Sequence, residues 1–420
     1  IVLADELLPS DFLRLDTARL AGIVMARGGS TSHVAILAAA RGIPTLVAAG
    51  PAVLGIAPGT ALILDGEAAT LHVDPPQAQR TALQQALHEQ AQRERSEHAA
   101  AHLPATTTDG IAVRVLANIG ALPEVEGACA RGADGCGLLR SEFLYLDRRD
   151  APDEALQARQ YAAFAAAFGN LPLTVRTLDA GGDKPIPYLP LPPEDNPALG
   201  LRGLRTGLRH PDLLLTQLRA LLRVARPQQI RILLPMVNEP GELAKARAML
   251  DACAYDLGLD QTPALGVMIE TPASALLAAE LLHDADFLSI GSNDLAQYTL
   301  AMDRGHPELA AHLDGLHPAV LRLIGTAAQA ARTAQKKISL CGGLGADPLA
   351  LPILLGLGVQ EVSVVPGAIP RIKAQVRRVA MHDCVELAQR AIGLGSAADV
   401  RELVRHWQSA AAPAMQEIPV

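Results

Sequence analysis

The sequence predicts an α/β protein in which a small mixed unit is joined by a linker helix to a (β/α)₈ TIM-type barrel. Three observations favour this fold. Eight short apolar runs alternate with helical stretches between residues 107 and 408, as expected for parallel strands covered on both faces. Half of the residues are apolar but only 3% are aromatic, which fits helix-on-sheet layers better than a β-sandwich. Residues 77–103 lack glycine and proline and repeat apolar side chains at helical spacing, which indicates a helix between two domains.

The first 75 residues form the small unit. Apolar runs at 22–25, 45–48 and 61–66 alternate with glycine-rich turns, a pattern typical of short strands. The pair Pro75-Pro76 ends this pattern. The expected divisions are an incomplete first domain at 1–75, the linker helix at 76–106, the barrel at 107–408 and a C-terminal tail at 409–420.

Eight candidate strands make up the predicted barrel, and reactive side chains gather at their carboxyl ends. Barrel enzymes build their active sites at that end, so the bias predicts a catalytic mouth. The candidate strands are 111–118, 135–139, 173–178, 230–236, 265–270, 287–291, 338–341 and 361–365. The reactive residues are Arg140 after the second strand, Arg176 in the third, Glu270 after the fifth, Asn293 and Asp294 after the sixth, and Cys341 at the seventh.

The overall charge and the cysteines argue against several classes of protein. With 36 Lys and Arg against 44 Asp and Glu, the net charge is −8, which disfavours nucleic acid or a membrane surface as partner. Five unpaired cysteines predict reduced thiols and a cytoplasmic location. No apolar run reaches the roughly 18 residues of a membrane span. The chain begins at Ile1 with no visible targeting peptide, and we expect a fragment of a longer polypeptide.

The first motif with chemical meaning is Gly28-Gly29-Ser30-Thr31-Ser32-His33. Its glycines allow a sharp turn, its hydroxyl residues can cap a helix, and His33 then lies in the first helical turn. Free N–H groups and the positive end of the helix dipole favour a phosphate ligand, or a phosphoryl group carried on the imidazole. For a lone histidine, a capped helix with a surface side chain is the commoner alternative, but the surrounding motif favours phosphate chemistry.

In a second motif, Arg176 and Lys184 stand on either side of the Gly-Gly turn at 181–182, Arg140 follows the preceding strand, and Arg202 lies further along the chain. Guanidinium groups recognise phosphate and carboxylate through paired hydrogen bonds, so several converging ones predict a small ligand bearing both groups. The alternative for any one of them is a salt bridge to a barrel carboxylate such as Asp179 or Asp183. The cations are Arg140, Arg176, Lys184 and Arg202.

A third group places Glu270 and Asp294 after neighbouring strands, aimed into the same mouth. Two carboxylates with room for water and ligand oxygens can hold Mg²⁺ or Mn²⁺. They could instead form an acid/base pair, or serve as partners of the arginines. Arg304, shortly after this segment, is a further candidate anion ligand.

Cys341 differs from the other cysteines because it ends a barrel strand and precedes a run of glycines. It is a candidate nucleophile or proton donor. No second cysteine stands at zinc-ligand spacing, and no phosphate-binding loop of the Gly-x₄-Gly-Lys-Ser/Thr type is present. Buried, inert thiols are expected at Cys129, Cys136, Cys253 and Cys384.

Together these motifs resemble enzyme I, the phosphoenolpyruvate-protein phosphotransferase of the bacterial sugar phosphotransferase system. The resemblance extends from Ile1 to the C-terminus and implies a swivelling phosphohistidine domain followed by a barrel that binds phosphoenolpyruvate. The matching motifs are Gly-Gly-x-Thr-Ser-His, Leu-Arg-Ser-Glu-Phe-Leu, Val-Arg-Thr-Leu-Asp-x-Gly-Gly-Asp-Lys, Glu-Thr-Pro, Gly-Ser-Asn-Asp-Leu-x-Gln-Tyr, Asp-Arg-Gly and Ile369-Pro370-Arg371-Ile372-Lys373.

The resemblance also implies roles for residues. His33 would accept the phosphoryl group of phosphoenolpyruvate on Nε2 and pass it to a histidine phosphocarrier protein for sugar uptake. Glu270 and Asp294 would hold Mg²⁺, and Cys341 would protonate the enolate to give pyruvate. A homodimer formed through the barrel is implied as well. Substrate contacts would come from Arg140, Arg176, Lys184, Arg202, Asn293, Asp294 and Arg304.

Three features depart from the family pattern. No segment resembles the helical subdomain that docks the phosphocarrier, Ser30 stands in place of an Arg, and Gly343 replaces the Glu that usually follows Cys-Gly. Ser30 and the missing initial Met favour the enzyme I portion of a multiphosphoryl transfer fusion protein. A fragment of pyruvate phosphate dikinase or phosphoenolpyruvate synthase is one alternative, and a non-catalytic phosphoenolpyruvate-binding regulatory module is another.

Overall fold

The chain divides into two compact units, Ile1–Arg93 and Glu94–Val420. Within the described residues, no helix is both long and apolar enough to cross a membrane. The computed structural model describes residues 1–12, 14–16, 19–29, 33–40, 42–66, 69–146, 148–181, 186, 188–189, 191, 194–224, 229–306 and 308–411.

The first unit is built on a parallel sheet of three strands in the order β1-β2-β3 and a separate antiparallel pair, β4-β5. The central strand is fully buried, and it packs with Phe12, Val34 and Ala38 in a small apolar core. Each of the three predicted strands contains an observed one. The elements are β1 (Val2–Ala4), α1 (Pro9–Phe12), β2 (Ile23–Met25), α2 (His33–Ala40), β3 (Thr45–Leu46), β4 (Leu62–Asp65) and β5 (Thr70–Val73).

Helix α3 (Gln77–Ala99) runs across the division between the two units. Its 23 residues are rich in Ala, Gln, Glu and Arg, which are strong helix formers, and none of them is buried. The predicted helix at 77–103 ends four residues earlier, because the backbone at 100–103 forms turns. The helix therefore owes its structure to local propensity more than to packing.

The second unit is a closed barrel of eight parallel strands, which confirms the predicted (β/α)₈ fold. Chain neighbours are also neighbours in the barrel, and the last strand pairs with the first. Continuous apolar runs were the correct signal because both faces of these strands are covered. The strands are β6 (Arg114–Ile119), β7 (Cys136–Arg140), β8 (Leu173–Arg176), β9 (Ile230–Leu234), β10 (Ala264–Ile269), β11 (Phe287–Gly291), β12 (Lys337–Cys341) and β13 (Glu361–Val364).

Helices cover the outside of the barrel, and aliphatic side chains between helices and strands form one large core. Asp153 caps one of these helices by accepting a hydrogen bond from the backbone N–H of Leu156 at 2.7 Å. The helices are α4 (Glu124–Ala130), α5 (Glu154–Phe168), α6 (Leu204–Arg209), α7 (Pro211–Val224), α8 (Pro240–Asp256), α9 (Pro272–Leu276), α10 (Ala278–Leu281), α11 (Ser292–Leu300), α12 (Pro318–Thr333), α13 (Ala350–Leu357), α14 (Ile369–Val376), α15 (Met381–Ala391) and α16 (Ala397–Ala411).

The inside of the barrel is packed rather than hollow. Leu138, Leu233, Met268, Phe287 and Cys341 form a buried cluster there, as expected for a barrel of eight strands. This cluster separates the two ends of the barrel, so chemistry at the carboxyl ends of the strands takes place above an apolar floor.

An ion network closes the amino ends of the strands. The carboxylate of Glu361, which is 2% exposed, lies 3.0 Å from the guanidinium of Arg231, 3.4 Å from that of Arg114 and 3.7 Å from the ammonium of Lys337. These four residues stand on β13, β9, β6 and β12. Because the network is at the end of the barrel opposite the predicted mouth, we assign it a role in the stability of the fold and not in the chemistry of the site.

Candidate active site

A cavity of about 430 Å³ opens at the carboxyl ends of the barrel strands. This volume is typical of small-molecule sites. Leu138 and Met268, from the cluster inside the barrel, contribute apolar surface to it. Its polar lining comes from several strand ends: Arg140, Glu142, Arg176, Glu270, Asn293, Asp294, Arg304 and Cys341.

Glu270 follows β10 and is 1% exposed. The next residue, Thr271, caps α9 in a reciprocal pair with Ser274, which fixes the direction of the chain after the strand. Oε1 of Glu270 accepts a hydrogen bond of 2.7 Å from the backbone N–H of Met236. Met236 has a φ of 58°, in the left-handed region that residues other than glycine rarely adopt. The predicted strand at 230–236 ends early for this reason.

The second oxygen of Glu270, Oε2, is buried and has no hydrogen-bond partner among the described residues. Burial, followed by the neighbouring charges of Asp179 and Asp294, raises the pKa of Glu270 to about 8. A divalent cation between Glu270 and Asp294 would satisfy the free oxygen and relieve this repulsion. The two carboxylates therefore fit a magnesium site.

No group of three or more His, Cys, Asp or Glu side chains is arranged to hold a metal ion in the part of the chain that the structure describes. Mg²⁺ commonly takes one or two carboxylates from the protein and completes its shell with water and substrate phosphate. A site based on Glu270 and Asp294 alone is consistent with that habit.

Arg176 occupies the middle of the mouth and is 7% exposed. Its Nη2 donates to Oε1 of Glu142, and its Nη1 lies 3.4 Å from Oδ2 of Asp179. Burial lowers the pKa of Arg176, but the charges of Glu142 and Asp179 raise it by more, so the net shift is upward. Its Nε is buried without a hydrogen-bond partner among the described residues.

Arg202 does not line the cavity, and its donors are already engaged. Its Nε and Nη2 donate to the two carboxylate oxygens of Asp179, at 3.3 and 2.9 Å. Its Nη1 donates to Oδ1 of Asp294 at 3.0 Å and to the hydroxyl of Tyr298 at 3.1 Å. Salt bridges of this kind, to barrel carboxylates, were the alternative to ligand binding that the sequence left open for each cation. In this arrangement Arg202 orients Asp294 from behind.

Arg140, Asn293 and Arg304 lie nearer the opening. Arg140 and Asn293 are exposed and Arg304 is half-buried. Asn293 and Asp294 occupy the first turn of α11, which begins directly after β11 and favours a carboxylate at that place. Oδ2 of Asp294 lies 3.6 Å from Nη1 of Arg304. Arg140 and Arg304 therefore offer positive charge to an anionic ligand near the solvent side of the cavity, above the more deeply buried carboxylates.

Cys341 ends β12 at the wall of the cavity and is 2% exposed. The hydroxyl of Ser289 donates to its sulfur at 3.7 Å, and the thiol donates to the carbonyl of Ile290 at 3.5 Å. Burial raises the pKa of Cys341 to about 11. The group is therefore a protonated thiol at neutral pH, which suits a proton donor better than a nucleophile.

The structure does not describe the side chains of two predicted site residues, His33 and Lys184. Helix α2 begins at His33, as the motif predicts, but Ser30–Ser32 and the side chain of His33 lie outside the described residues. Lys184 lies outside them as well. The predicted roles of His33 and Lys184 remain predictions.

Sequence reasoning missed several groups that shape the site. Glu142 stands two residues beyond Arg140 in a quoted motif, so a carboxylate next to a cation at the strand end was an available signal. Ser289 is a polar residue among the apolar residues of β11, which is a weaker signal for a site residue. Met236 acts through its backbone N–H, and no side-chain pattern reveals such a contact.

The chain matches two models of one family. Residues 94–381 match the PEP-utilising enzyme, PEP-binding domain, and residues 1–69 match the PEP-utilising enzyme, mobile domain. PEP is phosphoenolpyruvate. The first match includes every strand of the barrel and the whole cavity lining.

Similar curated proteins carry names from the same family. A multiphosphoryl transfer protein of Rhodobacter capsulatus is 45% identical over 403 residues, covering 96% of this chain and 49% of that protein. Phosphoenolpyruvate-protein phosphotransferases of Haloferax volcanii and Streptomyces coelicolor are 39% and 40% identical, and each match covers 96% of this chain and 71% of that protein. The chain thus spans about half the length of the multiphosphoryl transfer proteins that it matches.

The resemblance drawn from the sequence motifs is thereby confirmed. The chain belongs to the PEP-utilising enzyme family, as a member of its enzyme I (phosphoenolpyruvate-protein phosphotransferase) group.

Proposed function

We propose that this chain transfers the phosphoryl group of phosphoenolpyruvate to His33 and releases pyruvate. The observation that carries the proposal is the cavity at the carboxyl ends of the barrel strands, where arginines, a pair of carboxylates and a protonated thiol converge. Phosphoenolpyruvate carries a phosphate, a carboxylate and a carbon that must gain a proton. Each of these three groups has a chemical counterpart in the cavity.

Binding of the phosphate and carboxylate is assigned to the cations of the mouth. Arg140 and Arg304 lie near the opening, and Arg176 lines the same cavity. Asn293 can contribute its amide N–H groups, because its oxygen already accepts from the backbone of Gly343 at 2.9 Å. Lys184 is assigned to the same set from its motif. For Arg202 the proposed role changes from direct contact to orientation of Asp294.

Magnesium is the proposed cofactor, with Mn²⁺ as a substitute, and Glu270 and Asp294 are its proposed protein ligands. When bound, the ion would neutralise charge on the phosphate and the enolate oxygen. Oε2 of Glu270 has no hydrogen-bond partner in the part of the chain that the structure describes, and this oxygen and the raised pKa of Glu270 support the assignment. Asp294 is held in place for the same purpose by Arg202.

In the proposed reaction, neutral His33 attacks phosphorus through Nε2 while the bond from phosphorus to the enol oxygen breaks. The electron pair stays on that oxygen and gives the enolate of pyruvate. Cys341 then donates its thiol proton to carbon 3, and solvent reprotonates the thiolate. Such transfers have a loose transition state, so positioning and charge neutralisation supply most of the catalysis.

The proposal extends to the organisation of the molecule. Residues 1–75 act as the phosphohistidine domain, 76–106 as the linker and 107–408 as the barrel, with a tail at 409–420. The phosphoryl group passes from His33 to a histidine-containing phosphocarrier in sugar uptake. The protein acts in the cytoplasm as a homodimer formed through the barrel. Relatives named multiphosphoryl transfer protein and phosphoenolpyruvate-protein phosphotransferase support the phosphoryl-transfer part of this proposal.

Intact mass measurement after incubation with phosphoenolpyruvate and Mg²⁺ tests the proposal. We expect one acid-labile phosphoryl adduct on the wild-type chain, with pyruvate formed in equal amount. His33→Ala should bind phosphoenolpyruvate as before but gain no adduct. As a control, His98→Ala changes a histidine of the linker helix and should leave the adduct intact. A folded wild-type chain that binds phosphoenolpyruvate without forming an adduct would instead be a regulatory binding module.

A further inference from the structure

The turn that follows Cys341, residues 342–347, has one large apolar side chain, Leu344, which is buried in the barrel core. Four of its six residues are Gly342, Gly343, Gly345 and Ala346. Gly342 has a φ of 115°, and a Cβ there would come within 2.4 Å of the hydroxyl oxygen of Ser292. The backbone path of the 342–347 turn therefore depends on glycine, and glycine gives it freedom to move.

On one side of the turn there is open space. A second cavity of about 540 Å³ lies beside it, lined in part by Gly343, Asp314, Asp347 and Arg401. A larger side chain at 343 would reach toward this space. Among the described residues, this cavity borders one face of the turn, so close packing does not fix that face.

Polar groups from three helices hold the turn instead. The amide oxygen of Asn293, on α11, accepts from the backbone N–H of Gly343 at 2.9 Å. Arg371, on α14, donates through Nη2 to the carbonyl of Ala346 at 2.7 Å. Arg401, on α16, donates through Nη2 to Oδ2 of Asp347 at 2.9 Å.

Arg401 also ties the turn to a second loop. Its Nε and Nη2 donate to the two carboxylate oxygens of Asp314, at 2.6 and 2.9 Å. The hydrogen bond that Arg401 donates to Asp314 raises the pKa of Arg401; burial opposes this shift, and the hydrogen bond to Asp347 adds to it. All three side chains are 20–28% exposed. One partly buried guanidinium thus bridges two carboxylates on either side of the second cavity.

We propose that Arg371 and Arg401 are positioning residues for Cys341, acting by holding the 342–347 turn from outside the barrel mouth. Neither side chain lines the cavity assigned to phosphoenolpyruvate. The catalytic consequence rests on the proposed function, in which Cys341 protonates the enolate. The structural part, that the two arginines hold the turn directly after the buried Cys341, does not depend on it.

Alkylation of Cys341 tests the structural part without any turnover. Wild type, Arg401→Gln, Arg401→Lys and Arg371→Gln are treated with iodoacetamide, and the Cys341 peptide is followed by mass spectrometry. Cys129, half-buried on α4, serves as the internal reference. Removing a charge-assisted contact loosens the turn locally, so Arg401→Gln and Arg371→Gln should speed Cys341 alkylation by about tenfold. Arg401→Lys should restore much of the protection, and Cys129 should react at the wild-type rate throughout.

Kinetics of pyruvate release test the catalytic part, followed as a single turnover because each chain forms one phosphohistidine. A displaced proton donor should lower the maximal rate constant, written here kcat, by about ten- to a hundredfold in Arg401→Gln, while the half-saturating concentration of phosphoenolpyruvate, written KM, stays near the wild-type value. Exchange of the methyl protons of pyruvate with deuterated water, followed by NMR, should slow by a similar factor. Arg405→Gln, an exposed position one turn further along α16, is the matched control and should behave as wild type.

The outcomes separate this inference from the proposed function. Unchanged alkylation and unchanged kcat in both Arg401→Gln and Arg371→Gln, with native melting temperatures, would overturn the positioning role. If Arg401→Gln does not fold, Arg371→Gln decides the question. Faster alkylation in a chain whose wild type forms no phosphohistidine would support the positioning role and reject the proposed function.

Discussion

Among single residues, Glu270 stands where its surroundings disfavour the charged form of its carboxyl group. It is buried, one oxygen has no partner among the described residues, and Asp179 and Asp294 lie close enough to raise its pKa. A carboxylate is kept in such a place at a cost to stability, which a bound cation can offset.

Glu270→Gln is therefore expected to abolish metal binding without destabilising the folded protein. The neutral amide removes the repulsion, so the melting temperature without Mg²⁺ should equal or exceed that of wild type. The stabilisation that Mg²⁺ gives to wild type should disappear, and phosphoryl transfer should fall by at least about a hundredfold. Thermal melts with and without Mg²⁺ give the comparison. Glu280→Gln, at an exposed position on α10, is the control and should retain the Mg²⁺ response; a full response in Glu270→Gln would contradict the assignment.

Cys341 provides a pH prediction. Burial raises its pKa to about 11, with the hydrogen bond from Ser289 opposing the shift. The donor is the protonated thiol, which is present below the pKa and lost above it. The thiol should therefore not limit turnover on the alkaline side of neutrality, and alkylation of Cys341 should keep rising with pH toward 11, about tenfold per unit. A plateau of the alkylation rate near neutral pH would show that the thiol is already ionised there.

Replacement of Cys341 completes the residue-level test. Cys341→Ala should keep binding phosphoenolpyruvate and Mg²⁺, because neither contact is assigned to sulfur. Its turnover should fall by about 10²–10⁴-fold, the usual contribution of a positioned acid. Isothermal titration and pyruvate release measure the two quantities. Cys129→Ala, outside the cavity, should match wild type in both, and near-normal pyruvate release from Cys341→Ala would remove the proton-donor role.

At the scale of elements, strand positions could be predicted and strand ends could not. Continuous apolar runs identify strands that are buried on both faces, and all eight were found in this way. Their ends depend on contacts far along the chain. Strand β9 stops before Met236 because the N–H of that residue turns toward Glu270, 34 residues away in sequence. No local pattern records such a contact.

The same limit applies to the site. Placing Arg140, Glu270, Asp294 and Cys341 at strand ends was enough to predict that they share a cavity, since parallel strands end at one rim. Whether Arg202 meets a ligand or a carboxylate depends on the spacing between the loops after β8 and β11. In the structure Arg202 pairs with Asp179 and Asp294, and its contact with a ligand stays a prediction.

The network at the amino ends of the strands yields a stability prediction. Glu361→Ala leaves the guanidinium groups of Arg114 and Arg231 and the ammonium of Lys337 without their shared carboxylate. Because these cations are partly exposed to solvent, the free energy of unfolding should fall by about 1–3 kcal/mol. Urea denaturation measures this loss, with Glu386→Ala on the exposed face of α15 as control. The folded fraction should keep its wild-type KM for phosphoenolpyruvate, since the network lies at the opposite end of the barrel. A change below 1 kcal/mol would mean that the network behaves as a surface ion pair.

At the scale of the whole molecule, the mouth is less cationic than the sequence predicts, because carboxylates stand beside its arginines. Within the described residues, the arginines at 140, 176, 202 and 304 are accompanied by the carboxylates Glu142, Asp179, Glu270 and Asp294. Because the pKa of Glu270 is about 8, that group is largely protonated at neutral pH, and these side chains give only a small positive excess for an anion with up to three negative charges. Lys184 and Mg²⁺ would supply further positive charge. Phosphoenolpyruvate should consequently bind much more weakly when Mg²⁺ is removed.

The division of the chain into two units leads to a prediction about which part does what. Residues 94–420 contain the whole barrel, its core and the complete cavity lining, so this polypeptide should fold alone. It should bind phosphoenolpyruvate with Mg²⁺ within about twofold of the full chain, because distant independent parts contribute additively. It should form no acid-labile phosphoryl adduct, since His33 is absent. Calorimetry and intact mass measure the two properties, with full-length His33→Ala as the control expected to match the fragment. An adduct on residues 94–420 would place the phosphoryl acceptor in the barrel, and a large loss of affinity would show that the first 93 residues help to build the substrate site.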